Sequence, residues 1–166
     1  GANVTTTTST KNIDLVKSLG ADNVIDYTKE SYLDESSKFD VVFDTLGGKH
    51  TFDSFKVLKV GGRVVSIAGD LDSVTTKQLG LNKIISFLLA LKAKKITKVA
   101  SKMGALYRFL LMSPNGEQLK ELSKLYESGA IKPVIDKIYN FDDSIQALNY
   151  LSKGRARGKV IVNMRE

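Results

Sequence analysis

The sequence predicts an α/β fold, a doubly wound and mostly parallel sheet with helices packed over it, and three observations carry that prediction. Phe39-Asp40-Val41-Val42-Phe43-Asp44 is a nearly unbroken apolar run closed by Thr45-Leu46-Gly47-Gly48. Runs of this kind read as strands buried on both faces of a parallel sheet. Gly61-Gly62-Arg63-Val64-Val65-Ser66-Ile67-Ala68-Gly69 repeats the layout, with a Gly-Gly turn, an apolar strand, and small residues where the strand ends. Finally, strand-like runs alternate along the chain with segments whose apolar residues recur every three or four positions. That alternation is the pattern of βαβ units with right-handed crossovers.

Each element follows from local pattern. Ala2-Asn3-Val4-Thr5-Thr6-Thr7-Thr8 is rich in β-branched residues and opens the chain as a strand. From Lys11 to Leu19, Ile13, Val16 and Leu19 share one helical face, and Gly20 ends the helix. Asn23 to Tyr27 is a short strand, and the polar run from Thr28 to Lys38 leads to the central strand. Phe52, Phe55 and Leu58 recur at helical spacing before the second Gly-Gly strand. A polar loop from Asp70 to Thr76 precedes a basic amphipathic region, Leu79 to Met103. Ala105 to Met112 reads as a strand closed by Ser113-Pro114-Asn115-Gly116, a strong turn signal. Leu119, Leu122 and Leu125 mark a helix that stops at Gly129. The tail is extended from Lys132 to Tyr139, helical from Asp142 to Leu151, and extended again from Lys159 to Val162.

Composition narrows the function classes. The chain has 166 residues, 42% of them hydrophobic, which suits a folded domain rather than a disordered one. It has no cysteine, so disulfides, a thiolate nucleophile and Cys-ligated zinc are excluded within it, and a reducing cytoplasmic or organellar compartment is expected. Nothing at the start of the sequence reads as a signal peptide. The net charge of +7 is spread along the chain without a helix-turn-helix, zinc-finger or RNP pattern, so no nucleic-acid partner is expected. A field of that sign favours anionic ligands. The single histidine, His50, follows a Gly-Gly turn and reads as a helix-start residue, and Asp44 reads as organising its turn.

The candidate site lies where strands end, since ligands of open α/β sheets sit beyond the carboxyl ends of the strands. In a nucleotide-binding unit, an acid at the tip of the second strand binds the ribose 2′-hydroxyl of NAD, whereas hydroxyls and a basic residue suit the 2′-phosphate of NADP. If Ala2 to Thr8 is that strand, its tip reads Thr8-Ser9-Thr10-Lys11 and has no acid. This predicts NADP(H). Ser9 and Thr10 are hydroxyl donors, Lys11 supplies charge, and the helix N-terminus attracts an anion. The plainer account makes Ser9 a helix cap and Lys11 a surface lysine. The small residues after the two apolar strands are expected to leave room for a flat ligand.

Ser9-Thr10-Lys11-Asn12, Leu19-Gly20-Ala21-Asp22-Asn23-Val24-Ile25-Asp26-Tyr27 and Phe39 to Gly48 resemble motifs of the medium-chain dehydrogenase/reductases, in their zinc-free quinone and alkenal reductase branch. Gly129-Ala130-Ile131-Lys132-Pro133-Val134-Ile135-Asp136 and Gly154-Arg155-Ala156-Arg157-Gly158-Lys159-Val160 are similar to the family's closing motifs, in the same order. The resemblance implies a Rossmann-like sheet lacking its first strand, with a truncated NADP-binding domain over 1–128. Residues 129–166 would then form a strand-helix-strand tail that returns to a catalytic domain outside this chain. It further implies Ser9 and Lys11 on the 2′-phosphate, Tyr27 on the adenosine side, Leu46, Gly47, Ala68 and Gly69 bordering the nicotinamide, and Phe109 to Leu111 along its other edge. A plainer reading of Tyr27 is a ring capping the sheet. The activity implied is hydride transfer from NADPH to a quinone or an α,β-unsaturated carbonyl, without metal, in a protein that pairs as a homodimer. No glycine-rich pyrophosphate turn is present, so this stretch alone is expected to bind cofactor weakly and to be inactive.

Two rivals are weighed against that reading. The basic stretch from Leu79 to Met103, with Phe87, Leu88 and Leu91 among its lysines, can serve a membrane surface or a partner protein. The favoured account is an ordinary helix whose apolar face closes the sheet or packs against a domain outside this chain or a second subunit. A methyltransferase-like sheet would want an acid at the tip of the strand Ala2 to Thr8, and none is there.

Overall fold

The computed structural model describes residues 1–164, which divide into two compact units, 1–112 and the residues from 113 on. In the first, β1 (Thr5–Thr8) pairs in parallel with β2 (Asn23–Asp26), and α1 (Ile13–Ser18) packs on both. The chain then enters β3 (Phe39–Asp44), α2 (Lys49–Val57) and β4 (Leu58–Ser66). Two helices follow, α3 (Ser73–Gln78) and α4 (Lys83–Lys102), before β5 (Leu106–Phe109). These strands form a parallel sheet in the order β3-β4-β5. The second unit holds α5 (Gly116–Glu127), then β6 (Ile135–Asn140), α6 (Ser144–Ser152) and β7 (Lys159–Asn163). β6 and β7 pair in parallel as one βαβ unit. Helix α5, which the sequence reading joins to 1–128, is grouped with this second unit.

The core of the first unit lies on one face of the three-stranded sheet. Val64 and Tyr107 from the strands meet Phe55 of α2, Leu58, and Ala93, Ile96 and Ala100 of α4. The basic amphipathic region is thus chiefly a core helix in its second half: its apolar positions recur every three to four residues and close the sheet. Its first half leaves Ile84, Phe87 and Leu88 exposed.

Several local expectations are corrected. β3 is not buried on both faces, because Val41 and Phe43 are 57% and 58% exposed. Alternation along a strand sends Val42 and Asp44 toward the helices and Val41 and Phe43 to the opposite, open face. Gly61-Gly62 is not a turn preceding a strand but lies inside β4, where the register slips between Phe39 and Val41. Gly61 takes φ +78°, and a Cβ on Gly62 would stand 2.7 Å from Leu58 Cγ and 2.9 Å from the Asp40 carbonyl oxygen. A bulge fits both glycines better than a turn does. Within the segment read as a polar loop, Asp72 caps α3 through hydrogen bonds from the Val74 and Thr75 amides, and Gly80 separates α3 from α4. β5 stops at Phe109, and Leu110, Leu111 and Met112 run on as exposed, irregular chain.

Candidate functional site

The carboxyl ends of β3, β4 and β5 form one braced rim. Asp44, the last residue of β3, is buried and faces inward. Its Oδ1 accepts the Leu46 and Gly47 amides, both at 3.0 Å, and its Oδ2 accepts Thr51 Oγ1 at 2.6 Å and Ser66 Oγ at 2.9 Å. Ser66 Oγ in turn accepts the Ala68 and Gly69 amides. One carboxylate therefore shapes the turn after β3 directly and the turn after β4 through a single hydroxyl. Burial works to raise the Asp44 pKa, but the hydrogen bonds from Thr51, Gly47, Leu46 and Ser66 outweigh it and hold the group below the ordinary carboxylate value. Asp44 organises its turn, as the sequence suggests.

The third strand end is held the same way. Asp72 Oδ2 accepts the Phe109 amide at 2.8 Å, and Thr75 Oγ1 donates to the Phe109 carbonyl at 2.8 Å. Tyr107 Oη donates to the Asp70 carbonyl at 2.7 Å, and burial pushes its phenol up to about 12. Leu46, Gly47, Ala68, Gly69 and Phe109 are thereby brought together, with Leu46 exposed and Phe109 half-buried. A Cβ on Gly47 would lie 2.2 Å from the Ala68 carbonyl oxygen, and one on Gly69 would lie 2.4 Å from Tyr107 Oη. Glycine at both positions lets the rim pack this closely. Leu111 stands beyond the last hydrogen bond of the rim, nearly half exposed.

Ser9, Thr10, Lys11 and Tyr27 form a second group at the ends of β1 and β2. Ser9 precedes a short 3-10 turn, Thr10–Asn12, and its side chain makes no capping hydrogen bond, so the cap reading of Ser9 fails. Tyr27 donates its amide to the Thr8 carbonyl, while its side chain is 61% exposed and does not cap the sheet. One residue here was missed by the sequence reading. Asp26 pairs with Thr8 in the β1–β2 register, so an acid does stand beside the β1 tip, on the neighbouring strand. Its carboxylate is buried and accepts Thr10 Oγ1 at 2.5 Å and Thr28 Oγ1 at 2.6 Å. Those two hydroxyls lead in lowering its pKa to about 2. Only the strand register, which is non-local, could have revealed this pairing.

His50 lies in the first turn of α2, one residue after its start, and its Nδ1 lies 3.1 Å from Tyr32 Oη. Within the second unit, one open hollow runs along α5 beside Gln118, Leu122 and Leu125, and another lies around Lys132, Arg157 and Lys159.

Parallel strands with braced carboxyl-end turns and a hydroxyl-rich tip beside them define a class, the Rossmann-like cofactor-binding α/β sheet. Within that class the chain belongs to the zinc-binding dehydrogenase family, whose profile matches residues 19–162. It is 39% identical to the 2-methylene-furan-3-one reductase of Solanum lycopersicum, over 96% of this chain and 33% of that protein. It is 37% identical to the chloroplastic NADPH-dependent alkenal/one oxidoreductase of Arabidopsis thaliana, again over 96% of this chain and 33% of the relative. Among solved structures, the quinone oxidoreductase of Coxiella burnetii superposes with a TM-score of 0.73 at 28% identity, over 98% of this chain and 45% of that one. The chain thus spans about a third of these curated relatives. The metal in the family's name does not fit these residues: with one histidine and no cysteine, no group of three or more His, Asp or Glu among the described residues is placed to hold an ion. No helix among the described residues is long and apolar enough to cross a membrane.

Proposed function

We propose that this chain is the C-terminal, cofactor-binding portion of an NADPH-dependent oxidoreductase that passes hydride to a quinone or an α,β-unsaturated carbonyl. The observation that carries the reading is the braced rim at the ends of β3, β4 and β5, in a chain whose relatives are named as reductases of such compounds. When bound, the nicotinamide supplies the hydride, and the protein's part is to hold and orient it and to exclude water. Leu46, Gly47, Ala68 and Gly69 border the ring, with Phe109 and Leu111 along its other edge. Because Asp44 and Asp72 fix the backbone of these turns, the surface offered to the ring is preorganised. Ser9, Thr10, Lys11 and Tyr27 form the adenosine end, where hydroxyls and a cation favour NADP(H) over NAD(H).

The sheet order supports the same reading. In the order 3-2-1-4-5-6 of dinucleotide-binding sheets, β2-β1 and β3-β4-β5 are the two flanks of the first strand. The longer protein supplies that strand, its pyrophosphate turn and the domain that selects the substrate, while 129–166 returns to that domain. β5 is the sheet's outer strand, and the exposed Leu110, Leu111 and Met112 that follow it are the surface through which two copies pair. A reducing cytoplasmic or organellar setting suits a chain without cysteine. The membrane-surface alternative has no support among the relatives.

Titration with NADPH and NADH, followed by nicotinamide fluorescence at low salt, tests the reading. Saturable binding that prefers NADPH and weakens in Lys11→Ala is expected. Equal affinity for the two nucleotides would overturn the NADP assignment, and absence of binding to either, in a chain extended toward its N-terminus, would overturn the reductase reading.

A further inference from the structure

We propose that Thr10 is a positioning residue that acts through Asp26, forming with Thr28 a clasp that sets Ser9 and Lys11 for a 2′-phosphate. The inference deepens the cofactor reading above and rests on it. At the sequence level Thr10 is one of three equivalent polar side chains at a strand tip, all counted as ligands. The structure makes them unequal. Thr10 has one hydroxyl proton, and it is committed: Oγ1 lies 2.5 Å from Asp26 Oδ2, an acceptor without a proton of its own to offer. The other carboxylate oxygen is equally occupied, accepting Thr28 Oγ1 at 2.6 Å and the Thr28 amide at 3.1 Å. Thr10 Oγ1 and Thr28 Oγ1 stand 3.1 Å apart, which closes the triangle. Lys29 Nζ adds a cation 3.6 Å from Oδ2.

Commitment of the hydroxyl has two consequences. A Thr10 that donates to Asp26 has only lone pairs to present to a phosphate oxygen, which is itself an acceptor, so direct ligation would require breaking a charge-assisted hydrogen bond. The clasp also joins the end of β2 to the 3-10 turn Thr10–Asn12 that follows β1, and this turn carries Lys11 while Ser9 precedes it. Ser9 makes no capping hydrogen bond, so its hydroxyl is the one available to an incoming acceptor. Asp26, though an acid beside the β1 tip, is sequestered at 5% exposure and fully engaged. It does not take the ribose-binding place that an acid on β1 itself would take in an NAD site.

The two roles of Thr10 predict opposite effects of one substitution. If Thr10 were a phosphate ligand, Asp26→Asn would release its hydroxyl and remove a nearby negative charge, and 2′-phosphate binding would tighten. If Thr10 positions through Asp26, the same change loosens the turn and binding weakens. The probes are adenosine 2′,5′-bisphosphate and 5′-AMP, which differ by the 2′-phosphate alone, titrated calorimetrically into the chain and its variants. Loss of one positioning hydrogen bond is expected to weaken the bisphosphate by up to about tenfold in Asp26→Asn and in Thr10→Val. The double variant should be no weaker than either single one, since both remove the same clasp, and Thr10→Ser should restore wild-type affinity. Ser9→Ala should lose affinity for the bisphosphate and keep that for 5′-AMP. Thr28→Val keeps the test decisive should Asp26→Asn fail to fold, because it removes a hydrogen bond of the clasp and leaves the Thr10 hydroxyl in place: bisphosphate binding weakens if Thr10 positions through Asp26 and is unchanged if Thr10 is itself the ligand. Tighter binding in Asp26→Asn, or additive losses in the double variant, overturns the clasp while leaving the cofactor reading standing. A wild-type chain that binds the bisphosphate no better than 5′-AMP overturns the 2′-phosphate reading, and the clasp's role falls with it.

Discussion

A single carboxylate can fix two turns only if its acceptors are all used, and Asp44 meets that condition with four donors. Asp44→Ala strands two hydroxyls and two amides in a buried place, and leaving buried polar groups unpaired costs about 1–3 kcal/mol. A loss of about 3 kcal/mol in urea unfolding is expected, against less than about 0.5 kcal/mol for Asp40→Asn, whose pairing with Lys59 is exposed. Gly47 combines φ +74° with a close approach to the Ala68 carbonyl, whereas Gly20, at φ +101°, has nothing within 4 Å of an added Cβ. Gly47→Ala should therefore lower the thermal midpoint well beyond Gly20→Ala, which carries only the backbone cost of about 1 kcal/mol. Asp26 gives a pH signature. Its folded pKa of about 2 lies below the ordinary 3.8, so its contribution to stability is complete above about pH 4 and is lost as pH falls toward 2. Thr10→Val returns the folded value toward the ordinary one, and the urea midpoint of that variant should fall less steeply than the wild type's over this window.

The elements divide into those that local pattern specifies and those that need a partner. Helix α4 has the length and apolar spacing of a packed helix, and its second half is one: Ile96 is 1% exposed, whereas Phe87 is 62% exposed. Ile96→Ala should cost about 2–4 kcal/mol, through lost transfer energy and the cavity left behind. Phe87→Ala should stay within about 0.5 kcal/mol in the same denaturation experiment. Helix α3 is too short and polar to announce itself by periodicity. It is specified by its Asp72 cap, a side chain that also holds the Phe109 amide on β5. β4 shows the converse, since a Gly-Gly pair is a turn signal by composition and becomes a bulge only because the β3 backbone and the Leu58 side chain press on it.

At the scale of the molecule, β5 stands at one edge of its sheet, and the chain that leaves it there, Leu110, Leu111 and Met112, is exposed. If that edge is the pairing surface, sedimentation should give a dimer, and Leu110→Glu combined with Met112→Glu should return the monomer without changing the far-UV circular dichroism. The reductases named above are about three times the length of this chain. On the proposed reading, the contacts that select the substrate belong largely to residues outside this chain.

Fold class was legible in the sequence, because period and punctuation are local: an apolar run bounded by glycine reads as a strand wherever it lies, and helical spacing repeats within one turn. The place of Ser9 and Tyr27 directly after strands was legible for the same reason, and so was the turn-organising role of Asp44. What only the tertiary structure decided depends on register and close approach, which join residues far apart in the chain. Pairing of Thr8 with Asp26 brings a buried acid to Thr10, Gly47 packs on Ala68 and Gly69 on Tyr107 closer than any side chain would allow, and the helices cover one face of β3 where the composition suggested two. None of these has a local signal, since strand pairing and side-chain contact are set by the minimum of the whole packing energy rather than by the residues on either side.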